Sequence, residues 1–260
     1  MNSLPSVQSE LLNGVPLVAH AFFGRRGGSS CGSFGSLNAS QFAGDDPDNL
    51  ASNRTRIMRH LHAHSLFSNK QVHGRMVRVI DSTSAVDDVH EADGLVTDQP
   101  GTVLGVLGAD CAPVLFADPN TGIIGAAHAG WGGALRGVCE SVVESMIDLG
   151  ARVSAIRVAV GPAIQLESYE VGEKFKANVV ETSPVDAAHC FAKRGPSGTE
   201  HFDLAGYIRL RLAAAGILEI DNLAIDTYSN ETDYFSYRRA CHRGESGYGR
   251  QMSAICLQSG

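Results

Sequence analysis

The chain has 260 residues, 43% of them hydrophobic and 19% charged, with a formal net charge of −7. That is enough apolar material for a sizeable core and too little charge for a disordered chain. The acidic balance and the lack of a basic stripe exclude an ordinary nucleic-acid binder, and no apolar run of roughly 18 residues is present to cross a membrane.

The first residues lack a charged n-region and a long apolar h-region, so no signal peptide is expected. Residues 17–23 (LVAHAFF) predict a strand, followed by a turn-rich stretch from Gly24 to Gly35. Asp45 to Asn49 predict the cap of a helix carrying Leu50, Ile57 and Leu61 on one face. Val72 to Ile80 predict a strand, and 102–107, 112–117 and 122–128 are short apolar runs of buried-strand type. A helix is predicted from about Gly133 to Leu149, and a strand over 155–160. The segment from Pro184 to Thr199, with Lys193 to Gly198 at its centre, predicts a surface loop. Asp203 predicts the N-cap of a helix over 203–215, and 222–228 and 252–257 the last strands. Strands and helices mix without strict βαβ alternation. The expected fold is therefore α/β, a layered mixed β-sheet flanked by helices, in a single domain over residues 1–260.

The six cysteines (Cys31, Cys111, Cys139, Cys190, Cys241 and Cys256) are scattered, with no C-x-x-C pair. A cytoplasmic chain with mostly buried, reduced thiols is expected. Glycine is in excess, with 29 residues in 260, against a usual level of roughly 7%. Ten of the 29 lie between Gly94 and Gly137.

Within and beside that cluster three segments carry chemistry: Gln71-Val72-His73-Gly74, Gly108-Ala109-Asp110-Cys111-Ala112-Pro113 and Ala126-Ala127-His128-Ala129-Gly130-Trp131. His73, Cys111 and His128 make a donor set suited to zinc, and three protein ligands would leave an open position for catalysis. Their wide spacing excludes a zinc finger and fits a site assembled by the fold. The same residues suit a Cys–His hydrolase with Cys111 as nucleophile. Each alone also suits a satisfied core position. His60, His62 and His64 read as the end of a helix, where imidazolium suits the dipole. Arg25-Arg26 beside Gly27-Gly28, and Arg238-Arg239, are anion-site candidates, with a plain turn and a solvated pair as the alternatives. No nucleophile elbow, Walker loop, Rossmann fingerprint or nucleobase-deaminase pattern occurs.

Read together, these segments resemble the YfiH family of laccase-like proteins, also described as multicopper polyphenol oxidoreductases, purine nucleoside phosphorylases or peptidoglycan editing factors. The resemblance runs from about residue 20 to 258. It includes Arg25 to Ser30, Ser36-Leu37-Asn38, Gly44 to Pro47, Asn53-Arg54, Glu91-Ala92-Asp93-Gly94, Gly161 to Ile164, Tyr169 to Gly172, Phe235 to Arg239 and Gly249-Arg250, besides the three segments above. It implies a sandwich akin to a cysteine-hydrolase fold and a zinc site from His73, Cys111 and His128, with copper the other metal implied. It also implies phosphorolysis of adenosine, inosine and methylthioadenosine, with adenosine deamination. The chain departs from the family pattern at Gly132, where an arginine is usual, at Asp226-Thr227, and in an insert from Ala240 to Tyr248.

The leading expectation is a zinc-dependent purine nucleoside enzyme with His73, Cys111 and His128 at its centre. Arg25, Arg238 or Arg239 would hold phosphate, and Asp110 would carry a proton or make a structural hydrogen bond. The expected partners are a small nucleoside and phosphate, with no nucleic acid, membrane or protein partner implied. The other expectations are a Cys–His amidase acting on peptidoglycan precursors, a non-enzymatic metal-binding module, and a copper polyphenol oxidase.

Overall fold

The computed structural model describes residues 4–195 and 198–258. In chain order its strands are β1 (Ser6–Val7), β2 (Val18–Phe23), β3 (Ser65–Phe67), β4 (Val77–Ile80), β5 (Gly94–Thr97), β6 (Thr102–Gly108) and β7 (Ala112–Ala117). They continue with β8 (Ile124–Ala129), β9 (Arg157–Val160), β10 (Glu170–Val171), β11 (Phe191–Arg194), β12 (Thr199–Phe202), β13 (Glu219–Asn222) and β14 (Gln251–Leu257). The helices are α1 (Glu10–Asn13), α2 (Pro47–His60), α3 (Trp131–Arg136), α4 (Val138–Asp148), α5 (Glu173–Thr182), α6 (Leu204–Ala214) and α7 (Tyr237–Arg243).

Two mixed sheets face each other, in the orders β1-β2-β14-β6-β3 and β13-β9-β7-β8-β5-β4. Phe22, Leu104, Val106 and Ile255 of the first pack against Leu115, Ile124, Ala126 and Ala159 of the second. The outer face of the second sheet is covered by α4 and α6, through Val138, Val142, Met146, Ile208 and Leu212. The outer face of the first is covered by α2, through Ile57 against Phe23, Val103 and Met252. Both faces of the central strands are therefore buried. In β7, Val114 and Phe116 face helices while Leu115 and Ala117 face the opposite sheet. That double burial is why these strands read as continuous apolar runs and not as alternating ones. A small antiparallel sheet, β10-β12-β11, sits to one side. The α/β sandwich expected from the sequence is the architecture observed.

Several boundaries differ. The predicted helix 133–149 is two helices, because Gly137 takes φ +89, a left-handed conformation that ends α3. The predicted strand 72–80 keeps only Val77–Ile80, since residues 72–74 curl around a carboxylate instead. The strand expected at 222–228 lies earlier, at Glu219–Asn222, and Asp226 keeps only one bridge, to Ala163. The predicted loop 184–199 contains β11 and the first residue of β12, and its Pro196 and Ser197 lie outside the described residues. Asp46 and Asp203 cap α2 and α6 through their side chains. No helix of the described residues is long and apolar enough to cross a membrane.

Candidate metal centre

His73, Cys111 and His128 come together at the mouth of the sandwich. His128 is the last residue but one of β8, directly opposite Pro113 of β7. Cys111 sits in the tight connection between β6 and β7. His73 projects from the curled segment ahead of β4. One donor atom from each lies within 4.8 Å of the other two. Cys111 Sγ is 3.7 Å from His73 Nε2, and the two imidazoles meet edge to face at 4.9 Å. Among the described residues this is the one group of three such donors. His60, His62 and His64 do not join into another: α2 ends at His60, whose ring packs on Phe23.

One buried carboxylate organises two of the three. Asp93 accepts N–H bonds from Val72 (3.1 Å), His73 (3.0 Å) and Gly74 (2.7 Å). It also accepts from His128 Nδ1 at 2.8 Å, and its backbone carbonyl accepts from His128 N at 2.8 Å. Three consecutive N–H groups wrapped around an anion stabilise the left-handed backbone of His73, φ +58, which a residue with a side chain rarely adopts. Because the carboxylate accepts, the network assigns the His128 proton to Nδ1 and turns Nε2 toward the cavity. Gly130 completes the frame. A Cβ there would come within 2.8 Å of both Cys111 Sγ and His73 Cδ2, so a larger residue would fill the space the donors share.

The electrostatics follow from this packing. Burial pushes the Cys111 thiol up, but the His128 and His73 imidazoles outweigh it and bring it down to about 6. Burial pushes His128 down, and the Cys111 sulfur and Asp93 outweigh it, leaving it raised. Burial raises the Asp93 carboxyl, and its bonds to His128 and the loop N–H groups hold it below the ordinary carboxylate value. The two imidazoles thus favour the thiolate, the form in which cysteine ligates metals or attacks carbonyls.

A cavity of about 230 Å³ opens onto the three donors. Lys70 and Arg250 bring cations to it, and Phe42 and Tyr248 bring aromatic rings. Arg250 donates to Ser40 Oγ and to the Tyr248 hydroxyl, which fixes its head at the rim.

The other sequence candidates lie around this centre. Asp110, φ +94, is buried and accepts from Thr227 Oγ1 (2.8 Å), Ser236 Oγ (3.0 Å) and Arg238 N (2.6 Å). Burial raises its carboxyl despite these donors. Its bonds tie the Cys111 turn to the first turn of α7. Arg239 spends its guanidinium on the carbonyls of Thr227, Tyr228 and Tyr234. Arg25 donates to the carbonyls of Gly35 and Glu231 and lies over the Phe235 ring. Arg25 and Arg239 line a neighbouring cavity of about 430 Å³, which shares Tyr248 with the cavity at the three donors. Arg238 donates to Glu170 O and lies over the Tyr169 ring. Asp226 accepts from Gln165 N, Tyr228 N and Ser168 Oγ and so braces a loop. Asp93, Lys70, Phe42 and the rim arrangement of Arg250 and Tyr248 were not singled out by residue chemistry. Asp93 and Arg250 lie within segments that carry the family resemblance, but no spacing rule sets them apart.

The donor set fits a metal: two imidazoles and a thiolate, one histidine oriented by a carboxylate, and an open side toward the cavity. Comparisons with known proteins bear on which family built it. A purine nucleoside phosphorylase of Streptomyces griseus is 40% identical over 223 residues, covering 84% of this chain and 88% of that protein. A purine nucleoside phosphorylase of Deinococcus radiodurans is 40% identical over 224 residues, 85% of this chain and 84% of its own. The crystal structure of a Neisseria meningitidis protein matches with a TM-score of 0.85 at 28% identity, over 99% of this chain and 100% of that one. YfiH of Bacillus licheniformis matches with a TM-score of 0.84 at 29% identity, over 93% of each chain. The profile described as multi-copper polyphenol oxidoreductase laccase covers residues 19–258. By sequence and by fold, the chain belongs to this laccase-like YfiH family.

Proposed function

We propose that the protein is a zinc-dependent purine nucleoside phosphorylase, acting on adenosine, inosine and methylthioadenosine, with adenosine deamination at the same centre. The observation that carries this reading is one cavity that combines the His73–Cys111–His128 donor set with two cations and two aromatic rings. The names of the relatives support the same reaction class. His73, Cys111 and His128 would hold the ion. A zinc ion bound there would supply Lewis-acid stabilisation of negative charge on a substrate oxygen. Lys70 and Arg250 would bind phosphate, and Phe42 and Tyr248 would take the purine face. In phosphorolysis a phosphate oxygen bonds to C1′ of the ribose, and the purine leaves with the electrons of the C1′–N9 bond. Asp93 keeps the proton on His128 Nδ1, and Gly130 keeps the approach open. Copper is the alternative ion, although an oxidase with several copper centres would need more donor clusters than the one found among the described residues.

The test supplies zinc-loaded protein with each nucleoside and phosphate and follows products by chromatography. Free base with ribose 1-phosphate is expected, with inosine appearing from adenosine. If neither a free base nor inosine forms, or if Cys111→Ala performs equally, the proposal fails.

A second reading rests on one arrangement: Asp93, His128 and Cys111 lie in the order of an acid–base–nucleophile triad. It supports a Cys–His amidase acting on peptidoglycan precursors. His73 argues against it, since a thiolate nucleophile needs one imidazole and this one has two. Activity that survives a chelator and is lost to thiol alkylation would favour the amidase.

A further inference from the structure

His73 is held on its N–H side by Asp93. Its carbonyl is held from the other side, by Arg136 Nη1 at 3.0 Å, the one side-chain donor to that oxygen among the described residues. No strand supports the residue, because β4 starts only at Val77. A left-handed residue outside any ladder depends on such bonds to keep one conformation.

Arg136 reaches the carbonyl because of what lies one helical turn earlier. A Cβ at Gly132 would come 2.7 Å from Arg136 Nη1 and 3.8 Å from His73 O. The guanidinium therefore occupies the room that Gly132 leaves, four residues back on the same face of α3. Gly132 is buried, whereas Arg136 is exposed, so the arginine is free to move away if that room is filled.

We infer that Arg136 is a positioning residue for the ligand His73, and that Gly132 is required because it admits the guanidinium to the His73 carbonyl. This rests on the reading of His73, Cys111 and His128 as a metal centre.

The test uses the full chain, with zinc affinity read by competition against a chromogenic chelator and ligand geometry read from the absorption bands of the Co²⁺ form. Arg136→Ala is expected to weaken zinc roughly tenfold, the lower end for loss of a bond supporting a ligand. It should also shift the Co²⁺ bands with little change in thermal midpoint. Gly132→Ala should fold as well as the parent, since alanine is the better helix former. It should still lose a similar factor, because its methyl group displaces the guanidinium. In the Arg136→Ala background, Gly132→Ala should cost nothing more. Zinc affinity within twofold of the parent for Arg136→Ala, or additive losses in the double variant, overturns the inference. If the parent protein shows no Co²⁺ bands and no competable zinc, the metal-centre reading fails and the inference falls with it.

Discussion

Asp93 and Asp110 are both buried, both accept from three or more donors, and both sit within reach of the Cys111 turn, yet they do different work. Asp93 meets an imidazole and three N–H groups of one curled segment, and it stays ionised below the usual carboxylate value. Asp110 meets two hydroxyls and one amide, and burial wins, raising it. One carboxylate orients His73 and His128. The other fastens the far loop and the start of α7 to the same turn. The difference lies in the balance: the His128 imidazole bonded directly to Asp93, with the loop N–H groups, outweighs its desolvation, whereas burial of Asp110 outweighs three neutral donors and the nearby Arg239 charge.

The sharpest way to break this division is to remove Asp93. Asp93→Ala should cost about 3–5 kcal/mol of stability, because it leaves His128 and three N–H groups without an acceptor. It should also weaken zinc by roughly 10- to 100-fold. Urea unfolding and chelator competition measure the two losses, and zinc affinity equal to the parent's would sink the assigned role.

Acid sensitivity must then be apportioned, and His20 supplies a contribution that belongs to neither carboxylate. Its imidazole is buried, Nε2 accepts from Ser9 N, and burial pushes it down to about 4. Between pH 6.5 and 4 the unfolded chain takes up a proton that the folded one refuses. The contribution is therefore complete above pH 6.5 and is lost as pH falls toward 4, up to about 3 kcal/mol. Urea unfolding across that range should show the loss, and His20→Gln should flatten it.

Asp110→Asn should cost about 1–3 kcal/mol, the range for disturbing a buried acceptor. Zinc affinity should stay within twofold, and a loss like that of Asp93→Ala would erase the division between the two carboxylates. At the rim the effects should be smallest. Lys70→Ala should raise KM for phosphate roughly two- to fivefold with kcat unchanged, because the lysine is exposed and already paired with Glu91. Steady-state kinetics at varied phosphate tests this.

The same comparison shows what the sequence could disclose. Asp110 stands out in the sequence because it directly precedes Cys111, whereas Asp93 lies 18 residues before Cys111 and 35 before His128. Only the pairing of β5 with β8 brings it to the imidazole. The buried strands were readable because both of their faces are apolar. The small sheet was not: β10 has two residues, and β11 carries exposed Lys193 and Arg194 inside a turn-rich segment. The three donors were recognisable as a set, but their supports were not. Gly130 matters through Cys111 and His73, far away in sequence, and Gly132 through Arg136, whose reach to the His73 carbonyl only the fold creates.

The place of β14 carries one more consequence. This strand, late in the chain, lies between β2 and β6 and pairs with both along nearly its whole length. During synthesis β2 and β6 have no common neighbour until residues 251–257 leave the ribosome, so the sheet beneath the centre closes only after most of the chain exists. Such late, long-range closure makes folding slow and leaves strand edges exposed while it waits. A nascent chain stalled before Arg250 would hold His73, Cys111 and His128 and still lack the sheet that sets them in place.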